Sequence, residues 1–242
     1  MMPAGAVLLA AVAAGAAPQP ALLERAIRAR GGPLESVVRR VEADVRSGFP
    51  GLWNARLAYR RPDRWALTIE TTGAPDSYTW DGTAAHTVIG SRTVAVDRSP
   101  ATPLHSQARF WSVVYLDALR GPGVEVTPLE RQELPPGVVW GLLATWRDDG
   151  SRYRLGVDEA DRVVWVRGPV QLPPFGSAEL TMRFTDFRRT GRFLLPWRAE
   201  YWLAGAAILE ERTLSACPDD PAATDAAFVD PALLPSCAAA AD

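Results

Sequence analysis

The stretch AYRRPDRWALTIETTGAPDSYTWDGTAAHTVIG, residues 58–90, decides the fold class. Trp65, Leu67 and Ile69 face one way along it, and Ala66, Thr68 and Glu70 the other. Alternation with a period of two, bounded by turn residues, reads as a strand with one covered face. Tyr78 and Trp80 lead into Asp81-Gly82, a strong hairpin signal. AAHTVIG and RTVAVD then pair across Gly90-Ser91. No metal cluster, phosphate loop or nucleophile elbow lies in this stretch. A tryptophan-bearing sheet without chemistry has to serve by its shape.

The same rhythm runs outward on the C-terminal side. GVVWGLLATWRDDG turns at Asp149-Gly150 into SRYRLGVDEADRVVWVRG, where Tyr153, Leu155 and Val157 alternate with polar residues. A turn at residues 159–161 leads to a strand at 163–166, and residues 178–216 give three more, with Leu180, Met182 and Phe184 on one face. Turn signals every 10 to 14 residues are those of a long antiparallel meander. The Pro-rich pieces at 169–174 and 218–221 read as loops.

Two segments break the rhythm. PALLERAIRARGG, from Pro20, has helical spacing at Leu22, Leu23, Ala26 and Ile27 and ends at Gly31-Gly32. LHSQARFWSVVYLDALRG, from Leu104, has Phe110, Val113 and Val114 at helical steps. Between the first helix and the meander, PLESVVRRVEADVRSG fits a helix by one set of residues and a strand by another. We read it as a short helical turn followed by a strand. The expected fold is α+β and mainly β: one curled antiparallel sheet of roughly 10–11 strands, covered by helices. Long sheets twist and curl, and the two amphipathic helices are the available cover. A sheet too wide for its cover leaves an apolar cavity.

Composition excludes some functions. The 242 residues are 48% hydrophobic and 22% charged, enough for a sizeable core. All 26 basic residues are arginine, and the net charge of -2 gives no electrostatic reason to expect nucleic acid. The opening residues 4–17 are apolar and break at Pro18, too short for a comfortable membrane span, which needs about 20 residues. They fit a cleaved secretory signal over residues 1–17, although no Arg or Lys precedes the apolar run. The expected location is therefore periplasmic, and without a cysteine near the signal the product is not itself a lipoprotein. Cys217 and Cys237 are the two cysteines. In an exported chain they are expected to pair, closing a loop worth roughly 3 kcal/mol; two free thiols are the other state open to them. Two cysteines and two distant histidines, His86 and His105, do not make a metal ligand set.

Several segments together carry a family resemblance. They are the helix ending in Gly-Gly, RRPDRWALTI, TWDG, RYRLGVD, FTDFRRTGRFLLPWRAEYW and the tail DAAFVDPALLP. In pattern and order, over about residues 20–235, the chain resembles the LolA-like family of outer-membrane lipoprotein-sorting proteins. The resemblance implies an unclosed barrel with a helical lid over residues 18–242; the disulfide-closed tail is expected from the two cysteines and is not something the family requires. It implies a monomeric, non-enzymatic carrier of lipoprotein acyl chains or other lipids, without cofactor or metal. Its partners would be an inner-membrane loading complex and an outer-membrane acceptor. The alternating apolar residues Trp65, Leu67, Ile69, Trp80, Tyr153, Leu155, Leu180, Met182 and Phe184 become candidates for the cavity wall. They are equally candidates for plain core. The resemblance also implies a lid-latching arginine on an early strand, and Arg60 or Arg61 falls at that position.

Two other readings remain open in the sequence. One is a periplasmic sensor or regulatory domain of the same fold that binds a protein partner. The other is a hydrolase with a sparse site, for which Asp81, His86 and Ser91 can be assembled on paper but no nucleophile elbow exists. The carboxylates at 148–149 and 219–220, and Asp186 beside Arg183 and Arg188, read as turn and surface chemistry.

Overall fold

In the computed structural model, which describes residues 19–47, 50–70, 72–90, 92–99, 102–172 and 176–237, the strands join into one antiparallel sheet. The first half is β1 (Ser36–Val45), β2 (Gly51–Arg60), β3 (Arg64–Glu70), β4 (Asp76–Trp80), β5 (Ala85–Ile89) and β6 (Arg92–Asp97). The second half is β7 (Val124–Pro128), β8 (Trp140–Trp146), β9 (Arg152–Val157), β10 (Val163–Leu172), β11 (Gly176–Thr190), β12 (Phe193–Leu203) and β13 (Ala206–Pro218). Their spatial order is β6-β5-β4-β3-β2-β1-β13-β12-β11-β10-β9-β8-β7. Two meanders thus meet along the β1–β13 pair, and β6 and β7 remain as unjoined edges, so the barrel is not closed. Each hairpin step joins neighbours in the chain, as short connections favour.

The opening stretch behaves as its alternation requires. Tyr59 lies opposite Trp65, and Trp65 opposite Trp80. All three rings are buried on the concave face and form a cross-strand ladder.

Helix α1 (Gln19–Arg30) and helix α2 (Pro103–Tyr115) cover that face. In α1, Leu23, Ala26 and Ile27 are buried. The helix stops as its Gly-Gly requires: the Gly32 N–H reaches the Ile27 carbonyl and the Gly31 N–H the Arg28 carbonyl, the pairing of a Schellman cap. Gly31 has φ +115°, and a Cβ there would stand 2.2 Å from the Arg192 carbonyl oxygen. Both the left-handed turn and the approach of β12 therefore require glycine. Helix α2 starts at a Thr102 cap, whose hydroxyl accepts from the His105 N–H, and it packs against β2–β4 of one meander and β9 and β10 of the other. Ala108, Phe110, Trp111, Val113, Val114 and Tyr115 are buried, and so are His105, Arg109 and Ser112, so the helix is enclosed on more than its apolar face. Just beyond α2, Asp117 receives Arg30 at 2.5 Å and the Leu34 N–H at 3.0 Å, fastening the end of α1 to the end of α2.

The convex face has its own small core. Val38, Ala58 and Ala66 pack against Ala223, Ala227, Phe228, Leu234 and Cys237 of the tail. A Cys217–Cys237 disulfide closes the tail.

Four sequence expectations differ from the structure. Residues 36–45 are strand from Ser36 onward, with no helical turn before them. Both faces of β1 are covered, so its apolar residues do not alternate cleanly. The sheet has thirteen strands among the described residues, more than the 10–11 expected. Strand β7 was missed because it is short, carries Glu125 and ends in Pro128. Pro169 lies inside β10 opposite Glu179, where a loop was expected. Of the remaining expectations, the secretory signal at 1–17 falls outside the described residues.

Candidate functional site

Between α2 and the sheet lies a cavity of about 430 Å³. Strand β1 gives it Val41, Ala43 and Val45, β2 gives Trp53, Ala55 and Leu57, and β3 gives Trp65, Leu67 and Ile69. Val170 and Leu180 come from β10 and β11, Tyr201 and Leu203 from β12, and Ile208, Leu209 and Glu211 from β13. Pro103, Leu104, Gln107 and Trp111 of α2 form the roof. Alternation explains the wall: on β1, β2 and β3 every second residue turns inward.

Exposure grades along the cavity. Val45, Trp53, Ile69 and Ile208 lie near hairpin ends and are half-buried, while Val41, Leu57, Trp65, Trp111 and Glu211 are buried. The hairpin ends are therefore the mouth, and the second group forms the inner end. Leu52 is 64% exposed beside this mouth.

Of the nine wall candidates, Trp65, Leu67, Ile69 and Leu180 line the cavity. Trp80, Tyr153, Leu155, Met182 and Phe184 do not; they are buried in the packed core. Trp80 meets the His105 ring at 4.6 Å in a tilted contact, and Tyr153 meets Phe110 at 6.0 Å and Trp146 at 5.2 Å. Tyr153 lies flat over Gly168, where a Cβ would come within 2.2 Å of its ring. The difference is α2: it packs on β2–β4, β9 and β10 and leaves a hollow beside it, lined by β1–β3 and β10–β13. Alternation gives the inward face and does not locate the helix.

The inner end holds a polar group that the sequence reading missed. Arg39 Nη1 lies 2.8 Å from Glu211 Oε1, and both side chains are 3% exposed. The Tyr201 hydroxyl donates to Glu211 Oε2 at 2.6 Å. Arg39 also donates to Thr213 Oγ1 at 3.2 Å, and its guanidinium lies 4.7 Å from the centre of the Trp111 ring. Burial alone would lower the Arg39 pKa, but the Glu211 carboxylate, Tyr115 and Tyr201 together outweigh it and hold the guanidinium above its ordinary value. Burial, then the Glu211 charge, push the Tyr201 phenol well up, so it stays a donor. Glu211 Oε1 has the ion pair but no aligned hydrogen-bond donor. In the sequence, the signal was the inward parity of Val37, Arg39 and Val41 on one strand.

The latch candidates have other partners. Arg60 binds the tail through Asp225 at 2.8 Å and the Ala223 carbonyl at 3.0 Å, and Arg61 pairs with Glu35 at 2.9 Å. The early-strand arginine that reaches α2 is Arg39, through Trp111.

The carboxylates and histidines considered for catalysis have structural ties. Asp81 lies 2.9 Å from His86 Nε2 and accepts the backbone N–H groups of Thr83 and Ala84 in its turn. Ser91 lies outside the described residues. Asp148 and Asp149 hold Arg109 of α2, and Asp186 pairs with Arg188. Asp219 accepts the Glu35 and Ser36 N–H groups. Among the described residues no cluster of three His, Cys, Asp or Glu side chains is placed to hold a metal. No described helix is long and apolar enough to cross a membrane.

Neither a protein-family model nor a curated protein sequence matches the chain. Solved structures do. A LolA superfamily protein from Nitrosomonas europaea aligns over 88% of this chain and 98% of its own, with a TM-score of 0.59 and 14% identity. A protein from Vibrio parahaemolyticus, described as an outer membrane lipoprotein-sorting protein domain, aligns over 87% and 97%, with a TM-score of 0.51 and 13% identity. A DUF1329 family protein from Desulfovibrio piger aligns over 90% and 99%, with a TM-score of 0.51 and 12% identity. At such identities the likeness is one of fold. The chain, an unclosed antiparallel sheet covered by two helices, shares its fold with a LolA superfamily protein.

Proposed function

We propose that this protein is a non-enzymatic, extracytoplasmic carrier that shelters the acyl chains of a lipoprotein or another lipid during transfer toward the outer membrane. The observation that carries this reading is the cavity of about 430 Å³, walled by aliphatic and aromatic side chains and open at the hairpin ends. Its size falls in the usual range of ligand pockets, about 300–1,000 Å³. Burying ten methylenes there would gain about 8 kcal/mol. Release then requires that opening cost something, and α2 supplies that cost by packing its own apolar face into the trough. Arg39 beneath Trp111 is the proposed latch between sheet and lid. The Cys217–Cys237 disulfide supports an oxidising compartment, consistent with a cleaved leader at residues 1–17. Loading from an inner-membrane complex and delivery to an outer-membrane acceptor are the partners that this role requires, with the carrier acting as a monomer.

Native mass spectrometry of protein purified from membranes without detergent tests the reading. Co-purifying lipid is expected, together with saturable uptake of a fluorescent fatty acid. A clean apo mass with no uptake would reject it.

A further inference from the structure

The cavity has the same depth on three strands. Each of β1, β2 and β3 gives it three inward residues, from Val45 to Val41, from Trp53 to Leu57 and from Ile69 to Trp65. The next inward residues on β1 and β2, Arg39 and Tyr59, are buried and lie outside it. Tyr59 stacks on Tyr115 at 5.0 Å, Tyr115 stacks on Trp111 at 5.7 Å, and the Arg39 guanidinium lies 4.7 Å from the Trp111 ring centre. The Glu211 carboxylate is engaged by Arg39 and Tyr201. The inner end is therefore closed by packed rings and by a pair that satisfies itself. We propose that this wall is an end stop, so that the cavity holds one acyl chain at a time and sheathes only about 10–14 of its carbons. This inference rests on the carrier reading above and names its ligand class: a lipid that inserts a single chain of limited length.

Depth and volume lead to the same range. From Val45 to Val41 the strand advances about 13 Å, at roughly 3.3 Å per residue. An extended hydrocarbon with bonds of about 1.5 Å at tetrahedral angles advances about 1.3 Å per carbon, so that depth takes about ten carbons. A methylene is close in size to a water molecule, whose share of the liquid is about 30 Å³, so the cavity of about 430 Å³ takes about 14. The space exists because Ala43 and Ala55 stand midway along β1 and β2 with side chains too short to fill it. A second chain of equal length would need as much room again. Supplying that room means moving α2 or the Tyr59–Tyr115–Trp111 stack, and a packed interior yields only at a cost. Methylenes beyond the stop stay at the mouth, in contact with water, and add little to the binding.

The test uses the even-numbered saturated fatty acids from octanoic to octadecanoic acid, each below its aggregation concentration, as competitors of a fluorescent fatty acid. Folding is checked by thermal melting. Wild-type protein is expected to bind about tenfold more tightly for each two carbons added up to the stop. The gain should then fall below about threefold per two carbons once chains pass roughly 14 carbons. Native mass spectrometry at saturation should show one chain per protein. Ala43→Leu fills the middle of the wall and is expected to move the break to chains at least two carbons shorter. Leu57→Ala deepens the inner end and is expected to move it to chains at least two carbons longer. The two variants shift the break in opposite directions, so either one that folds keeps the test, and the wild-type series stands without them. Steady tightening through octadecanoic acid, two chains bound at saturation, or an unmoved break in a folded variant would each overturn the proposal. Failure of the wild-type protein to bind any acid of the series would instead remove the carrier reading beneath it.

Discussion

At the scale of single residues, the buried Arg39–Glu211 pair is held by more than its own attraction. Tyr201, Thr213 and the Trp111 ring complete it. Breaking such a pair leaves an unmatched buried charge, whereas replacing both members with apolar groups costs little. Arg39→Met is therefore expected to lower stability by about 3–5 kcal/mol, and Arg39→Met with Glu211→Leu by much less, measured by urea denaturation. A second residue-scale prediction concerns Asp81. Burial would raise its carboxyl, but His86, the Ala84 and Thr83 backbone N–H groups and the Thr83 hydroxyl hold it down, from an ordinary 3.8 to about 2. A depressed carboxyl stabilises the fold above its unfolded pKa and loses that contribution as pH falls through the folded one. Asp81→Asn should thus cost about 1 kcal/mol near neutral pH, a figure discounted for partial exposure. The gap between the two proteins should close as pH drops from about 4 toward 2, in denaturation curves taken across that range.

At the scale of elements, the tail is the piece whose role is least expected from its composition. It is rich in alanine and aspartate, yet Phe228 is fully buried against the convex face of β1–β3. Phe228→Ala should cost about 3–5 kcal/mol, the range for deleting a buried aromatic ring. Cys217→Ser with Cys237→Ser should cost about 2–4 kcal/mol through the 20-residue separation that the bond spans. Both are measurable by chemical denaturation, and a change under 1 kcal/mol in each would show that the tail is not part of the cooperative fold. The tail also explains why β1 was hard to read. With α1 and the cavity on one face and the tail on the other, Val37 and Val38 are both buried, and adjacent apolar residues resemble neither period. By contrast, β3 with Trp65, Leu67 and Ile69 was legible because its outward residues are small or polar. The end of α1 was legible because Gly31 must take a backbone conformation that other residues avoid.

At the scale of the whole molecule, the hollow is a property of how the two meanders and α2 fit together. Ala55 lies in its wall. Ala55→Phe should place a ring in the void, cost no more than about 1–3 kcal/mol of stability and weaken fatty-acid uptake at least tenfold. Uptake unchanged in that folded variant would place the ligand elsewhere. The amino-acid sequence by itself determined the strand alternation, the hairpin turns, the helix stops and the inward parity of Trp65, Leu67, Ile69 and Leu180. Those are local properties, set by side-chain period and by the backbone freedom of glycine. Only the tertiary structure decided that Tyr153, Leu155, Met182 and Phe184 would be buried away from the cavity that their counterparts on β1–β3 line. It also brought Arg39 and Glu211 together from strands far apart in the chain and set Arg60 against the tail. Period assigns a residue to a face; what that face meets depends on where a helix from elsewhere in the chain comes to rest.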